Sequence, residues 1–403
     1  MFLVGFASLI VAMGVTWIVT PWVIRAAERF GAVDQPGGRK THESATPRIG
    51  GVAVFTGFVA GMAFAAYNTG LLFHIPKGVY WRALMFAALG LFLVGLIDDL
   101  WRLSFRWKFA AQIVAAVYVW QAGFRIDFIS HPLGGDLDLG MLSLPLTVLW
   151  IVGITNAVNL IDGLDGLATG IALITTLTVG IIAFDRNLLG VTAASVTLAG
   201  ALAGFLRYNF NPARIFLGDS GSLFLGFVLA VTSVRGSQKG TTAVAILVPL
   251  LVLGLPLMDT GFTVLRRTLR IGTRGMRTDN ALRYAARNYQ HVFLPDRGHI
   301  HHRLLDIGLS HRNAVLVLYG VGVIFAFAAF SLVLVKSLWV GALLFGVLAA
   351  GMASFAVLLY FRARRARRSE PVSAAEKERP RAPGSRPLAP QGSQLRGRRV
   401  YKT

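Results

Sequence analysis

An all-α membrane protein that crosses the bilayer many times is the fold class this sequence predicts, and three observations carry the prediction. Apolar runs of about 20 residues, the length a helix needs to span hydrocarbon, recur from the first residue to about 361. Only 15% of the 403 residues are charged and 55% are hydrophobic. A soluble domain carries about 25% charged residues, so these side chains cannot coat a water-facing globule of this size. The basic residues also fall into alternate loops instead of spreading evenly. With no water in the bilayer core to pair backbone groups, helices are the form such runs take. The chain has no Cys, which excludes disulfides, thiolate zinc sites, iron–sulfur clusters and cysteine nucleophiles.

Eleven spans are predicted, at 2–24, 50–67, 80–98, 108–124, 142–158, 165–184, 188–206, 216–234, 241–262, 313–336 and 338–361. The first has no basic residue before it and is closed by Arg25, so it reads as a retained helix and not as a cleaved signal peptide. The loops on one side of these spans, with residues 362–403, hold 33 Lys and Arg; the loops on the other side hold 7. Basic loops stay in the cytoplasm, which places the N-terminus outside and the C-terminus inside. Dropping any one span breaks this sorting. Residues 1–362 form one membrane-embedded domain, and 363–403 a basic cytoplasmic tail. From 369 onward the tail is rich in Pro, Arg, Ser and Gly with almost no large apolar residues, so it cannot bury enough surface to order itself. Its lack of interleaved aromatics and its place after a membrane helix favour anionic lipid as its contact over nucleic acid.

In a chain that avoids charge, four loops on the basic side stand out. Span three ends in Asp98-Asp99, two carboxylates that repel unless a cation or a shared proton relieves them; alternatively they pair with Arg102 or Arg106 in solvent. Lys108, opening span four, is either a topology anchor or a phosphate ligand. Between spans five and six, Asn156, Asn159, Asp162 and Asp165 recur every three residues, which a helical turn aligns into one stripe, and Gly163 and Gly166 leave room beside the acids. Between spans seven and eight, residues 208–222 place Asn209 and Phe216 before Gly218-Asp219-Ser220. Asp219 suits an N-cap or a hard divalent cation, and Phe216 either packs or stacks on a base. Between spans nine and ten, Arg297, His299, His301, His302 and Arg303 crowd seven residues. Zinc is one reading of the His cluster; a phosphate-rich substrate fits His beside Arg better. Acids suited to Mg²⁺, a His/Arg cluster and a hydrophobic surround read together as phosphoryl transfer between a water-soluble phosphate and a lipid. An ion-coupled transporter is the rival reading, but its carboxylates would lie near mid-bilayer and not at one edge.

The motifs at residues 46–51, 98–99, 156–166, 209–221 and 295–304 resemble those of the polyprenyl-phosphate N-acetylhexosamine-1-phosphate transferases, in the same order over about 260 residues. Pro-Asp-Arg-Gly before His-Ile-His-His at 299–302 is similar to the branch that starts teichoic-acid, O-antigen and related glycans. That branch transfers N-acetylglucosamine (GlcNAc) 1-phosphate from UDP-GlcNAc to undecaprenyl phosphate in the bacterial plasma membrane. The peptidoglycan branch, which uses a UDP-MurNAc-pentapeptide, has three consecutive His and ten spans, and remains the alternative. The resemblance implies Mg²⁺, for which Mn²⁺ can substitute, with Asp219 and Asp99 as its protein ligands. It implies catalytic roles for Asp98, Asp99, Asp162, Asp165, His301 and His302. Substrate contacts are implied for Lys40, His42, Lys108, Asn156, Asn159, Asn209, Phe216 (against the uracil), Arg297, His299 and Arg303. Asp259 matches a family Asp or pairs with Arg266 or Arg267, and a homodimer is a compatible assembly.

Overall fold

The structure is a computed structural model. It describes residues 2–35, 45–69, 77–130, 136–237 and 300–335, with scattered positions between 250 and 261 and between 339 and 358. Ten helices are numbered here among the described residues: α1 (Phe2–Phe30), α2 (Gly51–Thr69), α3 (Lys77–Trp101), α4 (Phe105–Gln121), α5 (Ser143–Ile161), α6 (Leu167–Asp185), α7 (Leu189–Asn209), α8 (Gly218–Ser237), α9 (Ile300–Asp306) and α10 (His311–Val335). Among the described residues, seven segments are long and apolar enough to cross a membrane: Leu3–Phe30, Gly51–Thr69, Tyr80–Trp101, Gly140–Ile161, Leu167–Asp185, Leu189–Asn209 and His311–Val335. They match seven of the eleven predicted spans. Helices α4 and α8 stand where spans four and eight were expected, whereas most of span nine, half of span eleven and the whole tail lie outside the described residues.

Two antiparallel hairpins were not foreseen. β1 (Val33–Asp34) pairs with β2 (Thr46–Pro47), and β3 (Phe128–Ser130) pairs with β4 (Asp136–Asp138). Strands of two or three residues are too short to leave a two-residue periodicity in the sequence.

The bundle packs tightly because small residues bring backbones together. Gly57 and Gly61 of α2 lie against α1, where added Cβ atoms would strike Thr16 and the Ala12 and Ser8 carbonyls; Gly200 and Gly204 of α7 do the same at the Leu9 and Met13 carbonyls. This four-residue spacing of Gly suits helices that associate in lipid, where no hydrophobic effect pulls them together. Pro21 sits inside α1 and has no N–H to offer the carbonyl of Trp17. Tyr208 of α7 supplies the missing donor, its hydroxyl bonding to that carbonyl at 3.3 Å. Deeper in, the rings of Phe55 (α2) and Phe92 (α3) stack with centroids 4.3 Å apart, and Phe224 (α8) meets Phe55 edge-on at 5.3 Å. This aromatic core joins α2, α3 and α8 just below the end of the bundle where the polar residues gather.

Candidate active site

The C-terminal ends of α3, α5 and α7 and the N-terminal ends of α2, α4, α6 and α8 meet at one end of the bundle, and every described sequence-predicted acid lies there. At the centre, the Lys108 ammonium bridges two carboxylates, 3.2 Å from Asp98 Oδ2 and 2.8 Å from Asp219 Oδ2. These three side chains come from α3, α4 and α8 and keep 14–26% of their surface exposed, enough to meet a ligand. Asn159 of α5 reaches the other oxygen of Asp219, its Nδ2 donating to Oδ1 at 3.2 Å and to Ser222 Oγ at 2.8 Å. Asp219 is thus held from both sides.

Asp99 does something different from its neighbour. It is 5% exposed, and its two oxygens accept the backbone N–H groups of Asp219 and Ser220 at 2.9 and 3.0 Å. Those are unpaired donors at the start of α8, where a carboxylate also meets the positive end of the helix dipole. The close fit needs glycine. Gly218 has φ +74°, and a Cβ there would lie 2.6 Å from Asp99 Oδ2 and against the Arg48 carbonyl. Gly95 of α3 makes comparable room, since its Cβ would come within 2.6 Å of Ser220 Cα.

The loop after α5 carries Asp162 and Asp165. Asp162 is half-buried. Burial first, then the carboxylates of Asp219, Asp99 and Asp165, push its pKa up from 3.8 to about 8. Asp165 braces the turn before α8: its Oδ2 accepts Asn211 Nδ2 at 2.9 Å and the Ala213 N–H at 3.0 Å. Asn209 is buried, accepting from Thr169 Oγ1 at 2.6 Å and donating to the Ile215 carbonyl at 2.9 Å. Phe216, part-exposed, is fixed through its backbone, which donates to Pro47 O at 2.8 Å and accepts from Gly50 N at 3.0 Å. Asn156 lies a turn further into the bundle, bonded to Gln112. Of the His/Arg cluster, His301, His302 and Arg303 fall on α9, and the side chains of the two His are not described. Lys40, His42, Asp259, Arg297 and His299 lie outside the described residues.

Residues 81–237 match Glycosyl transferase family 4, a stretch that holds all five of these acids and Lys108. A probable undecaprenyl-phosphate N-acetylglucosaminyl 1-phosphate transferase of Bacillus subtilis (strain 168) is 41% identical over 327 residues, covering 80% of this chain and 83% of the relative. The chain belongs to this transferase family. The same membership is carried by a decaprenyl-phosphate N-acetylglucosaminephosphotransferase of Mycobacterium tuberculosis (strain ATCC 25618 / H37Rv), 36% identical over 384 residues and 89% of each chain. A phospho-N-acetylmuramoyl-pentapeptide-transferase of Halalkalibacterium halodurans is more distant, at 28% identity over 338 residues, 80% of this chain and 95% of the relative. The resemblance seen in the motifs therefore holds. The protein is a phosphoglycosyl transferase with membrane-type helices, not a transporter.

Three partners in this family site escaped the sequence reading. Gln112 faces Asn156; Thr169 faces Asn209. Tyr319 of α10 donates to the Gly166 carbonyl at 2.6 Å, tying the loop of acids to a helix over 150 residues away in sequence. Gln112 alone had a signal, as a lone amide four residues after Lys108 in an apolar run.

Proposed function

We propose that this transferase moves GlcNAc 1-phosphate from UDP-GlcNAc to undecaprenyl phosphate, releasing UMP and leaving undecaprenyl-diphosphate-GlcNAc. The observation that carries the reading is the Lys108 ammonium clasped between Asp98 and Asp219: two acids converge on one cationic centre at the bundle end. The B. subtilis and M. tuberculosis relatives support GlcNAc as the sugar. So do the His-Ile-His-His form at 299–302 and the expected eleventh span, against the pentapeptide alternative.

A divalent metal fits this donor set. Asp98 and Asp219 turn oxygens toward a shared positive charge, and Mg²⁺ is commonly held by one or two carboxylates with substrate phosphates completing its shell. Asp219 would be the main ligand with Asp98 beside it. Asp99, whose oxygens both take backbone N–H groups, holds the start of α8 in place. Bound there, Mg²⁺ would neutralise charge on the diphosphate.

The chain's own residues do the rest. Lys108 offsets the repulsion between two anionic substrates and is placed to meet the acceptor phosphate or the diphosphate. Asp98 orients the acceptor so that its oxygen attacks the β-phosphorus in line, and the bond to the UMP oxygen breaks. Asn159 fixes Asp219, and Asp165 with Asn211 shapes the turn that presents Phe216 to the uracil. His301, His302 and Arg303 grip the diphosphate together with Arg297 and His299, and Lys40 and His42 add further substrate contacts. Direct attack is favoured over an aspartyl-phosphate intermediate, because Asp98 is held by an ammonium and Asp99 by two N–H groups, leaving neither a free nucleophile. The site faces the cytoplasm of a bacterial plasma membrane, where the nucleotide sugar is found, and the basic tail rests on anionic lipid.

The deciding experiment gives the purified protein UDP-GlcNAc or UDP-MurNAc-pentapeptide and measures UMP release with added undecaprenyl phosphate and Mg²⁺. Release from UDP-GlcNAc that needs both additions is expected. Turnover of the pentapeptide donor alone would overturn the choice of sugar.

A further inference from the structure

One polar contact lies below the site and has no part in the chemistry above. Gln112, in the middle of α4, is 1% exposed. Asn156 of α5 donates from Nδ2 to Gln112 Oε1 at 2.6 Å and to the Val152 carbonyl at 2.8 Å, while Gln112 Nε2 returns to Asn156 Oδ1 at 3.5 Å. Two amides face each other inside a helix pair whose other side-chain hydrogen bond among the described residues, Trp120 Nε1 of α4 donating to Ser143 Oγ of α5 at 3.0 Å, lies about two turns further from the site. Gln112 is deeply buried while Asn156 is half-buried, so parting them leaves the Gln112 amide unpaired where no water can replace its partner, at high cost.

Their spacing to the site is the informative feature. Lys108 stands four residues before Gln112 on α4, and Asn159 stands three after Asn156 on α5, so each shares a helix face with its amide. Both reach a single carboxylate: Lys108 at Asp219 Oδ2 and Asn159 at Asp219 Oδ1. A slip of one residue between the helices, about 1.5 Å along the axis, would pull the two groups out of step at Asp219. Apolar packing resists such sliding weakly; the paired amides specify one register at the end of the helix pair nearest Asp219, as Trp120 and Ser143 do at the far end.

We infer that Gln112 and Asn156 are positioning residues, a lock that holds α4 and α5 in the register at which Lys108 and Asn159 clasp Asp219. This rests on the transferase reading of the Asp219 site and moves Asn156 from substrate contact to support. Neither amide touches substrate.

The test uses purified full-length protein, UDP-GlcNAc and undecaprenyl phosphate. Replacing both partners, Gln112→Leu with Asn156→Leu, orphans no polar group and so spares stability. The double variant should keep its melting temperature and a KM for UDP-GlcNAc within about twofold of wild type, while kcat falls by about 100-fold, the scale of an ångström-sized misplacement. Gln112→Leu alone should lose both kcat and melting temperature. The exchange Gln112→Asn with Asn156→Gln, which conserves the combined length, should recover most of kcat. Wild-type kcat in the double Leu variant overturns the lock. So does a KM raised manyfold at unchanged kcat, which would return Asn156 to the substrate. Wild-type turnover is the control: if only the pentapeptide donor is used, the choice of sugar fails by itself, and the same variants are read with that donor.

Discussion

Asp219 gathers more of the site than any other residue, since Lys108 and Asn159 hold its two oxygens and its own N–H is held by Asp99. Asp219→Ala should therefore lower UMP release by at least about 10³-fold, with the protein still folded and membrane-inserted by gel filtration and thermal unfolding. Near-normal activity in saturating Mg²⁺ would refute its role. Asp162 gives a pH prediction whose sign is fixed. Its carboxyl is raised from 3.8 to about 8 by burial and neighbouring carboxylates, so the fold prefers the protonated form. Stability from this group is complete below the unfolded value and drains away as pH rises through the folded one. In chelator, the melting temperature should fall between about pH 5 and about pH 8, and Asp162→Asn should flatten that slope. At this scale the sequence was informative because acids in an apolar chain need a reason to be there. Asp98, Asp162, Asp165 and Asp219 were all legible. The division of labour between Asp98 and Asp99 was not, because it depends on which carboxylate meets the start of α8, a helix more than 100 residues away. Asn209 likewise reads as a substrate contact in sequence and is found buried on Thr169.

Among elements, α8 is the one on which the site is mounted, and its first turn is closely packed. Gly218→Ala would push a methyl into Asp99 and the Arg48 carbonyl at a φ that L side chains resist. A cost of about 1–3 kcal/mol is expected, read as a lower melting temperature, together with loss of UMP release because Asp219 is displaced. Wild-type values for both would show that the turn can relax. The long helices were legible from apolar length, and their polar ends from the breaks in it. The hairpins were not, nor was the compensation at Pro21. Proline in a span announces a lost hydrogen bond, but only the packing of α7 on α1 reveals that the Tyr208 hydroxyl takes its place.

For the whole molecule, the proposed topology makes a direct prediction. The chain has no Cys, so single replacements Arg102→Cys and Arg125→Cys can be labelled without background. A membrane-impermeant thiol reagent added to intact cells should reach position 125 and spare 102 until the membrane is opened; the reverse pattern would invert the topology. The all-α, many-span architecture was legible because span length is a property of the entire chain, which survives errors at any one boundary. The pairing of helices was not, because closeness of α1 to α7 or of α6 to α10 depends on small residues whose partners no one-dimensional pattern names.

The Lys108 bridge has a further consequence. Carboxylates gathered this closely repel one another unless a positive charge stands between them. Here the protein carries that charge itself, as the Lys108 ammonium fixed between Asp98 and Asp219. On the proposed Mg²⁺ chemistry, treatment with EDTA should abolish turnover yet leave the enzyme intact at neutral pH, and adding Mg²⁺ back should restore full rate without refolding. Lys108→Met should forfeit that resilience, stripping becoming irreversible. Idle enzyme in a metal-poor cell would then be dormant rather than lost.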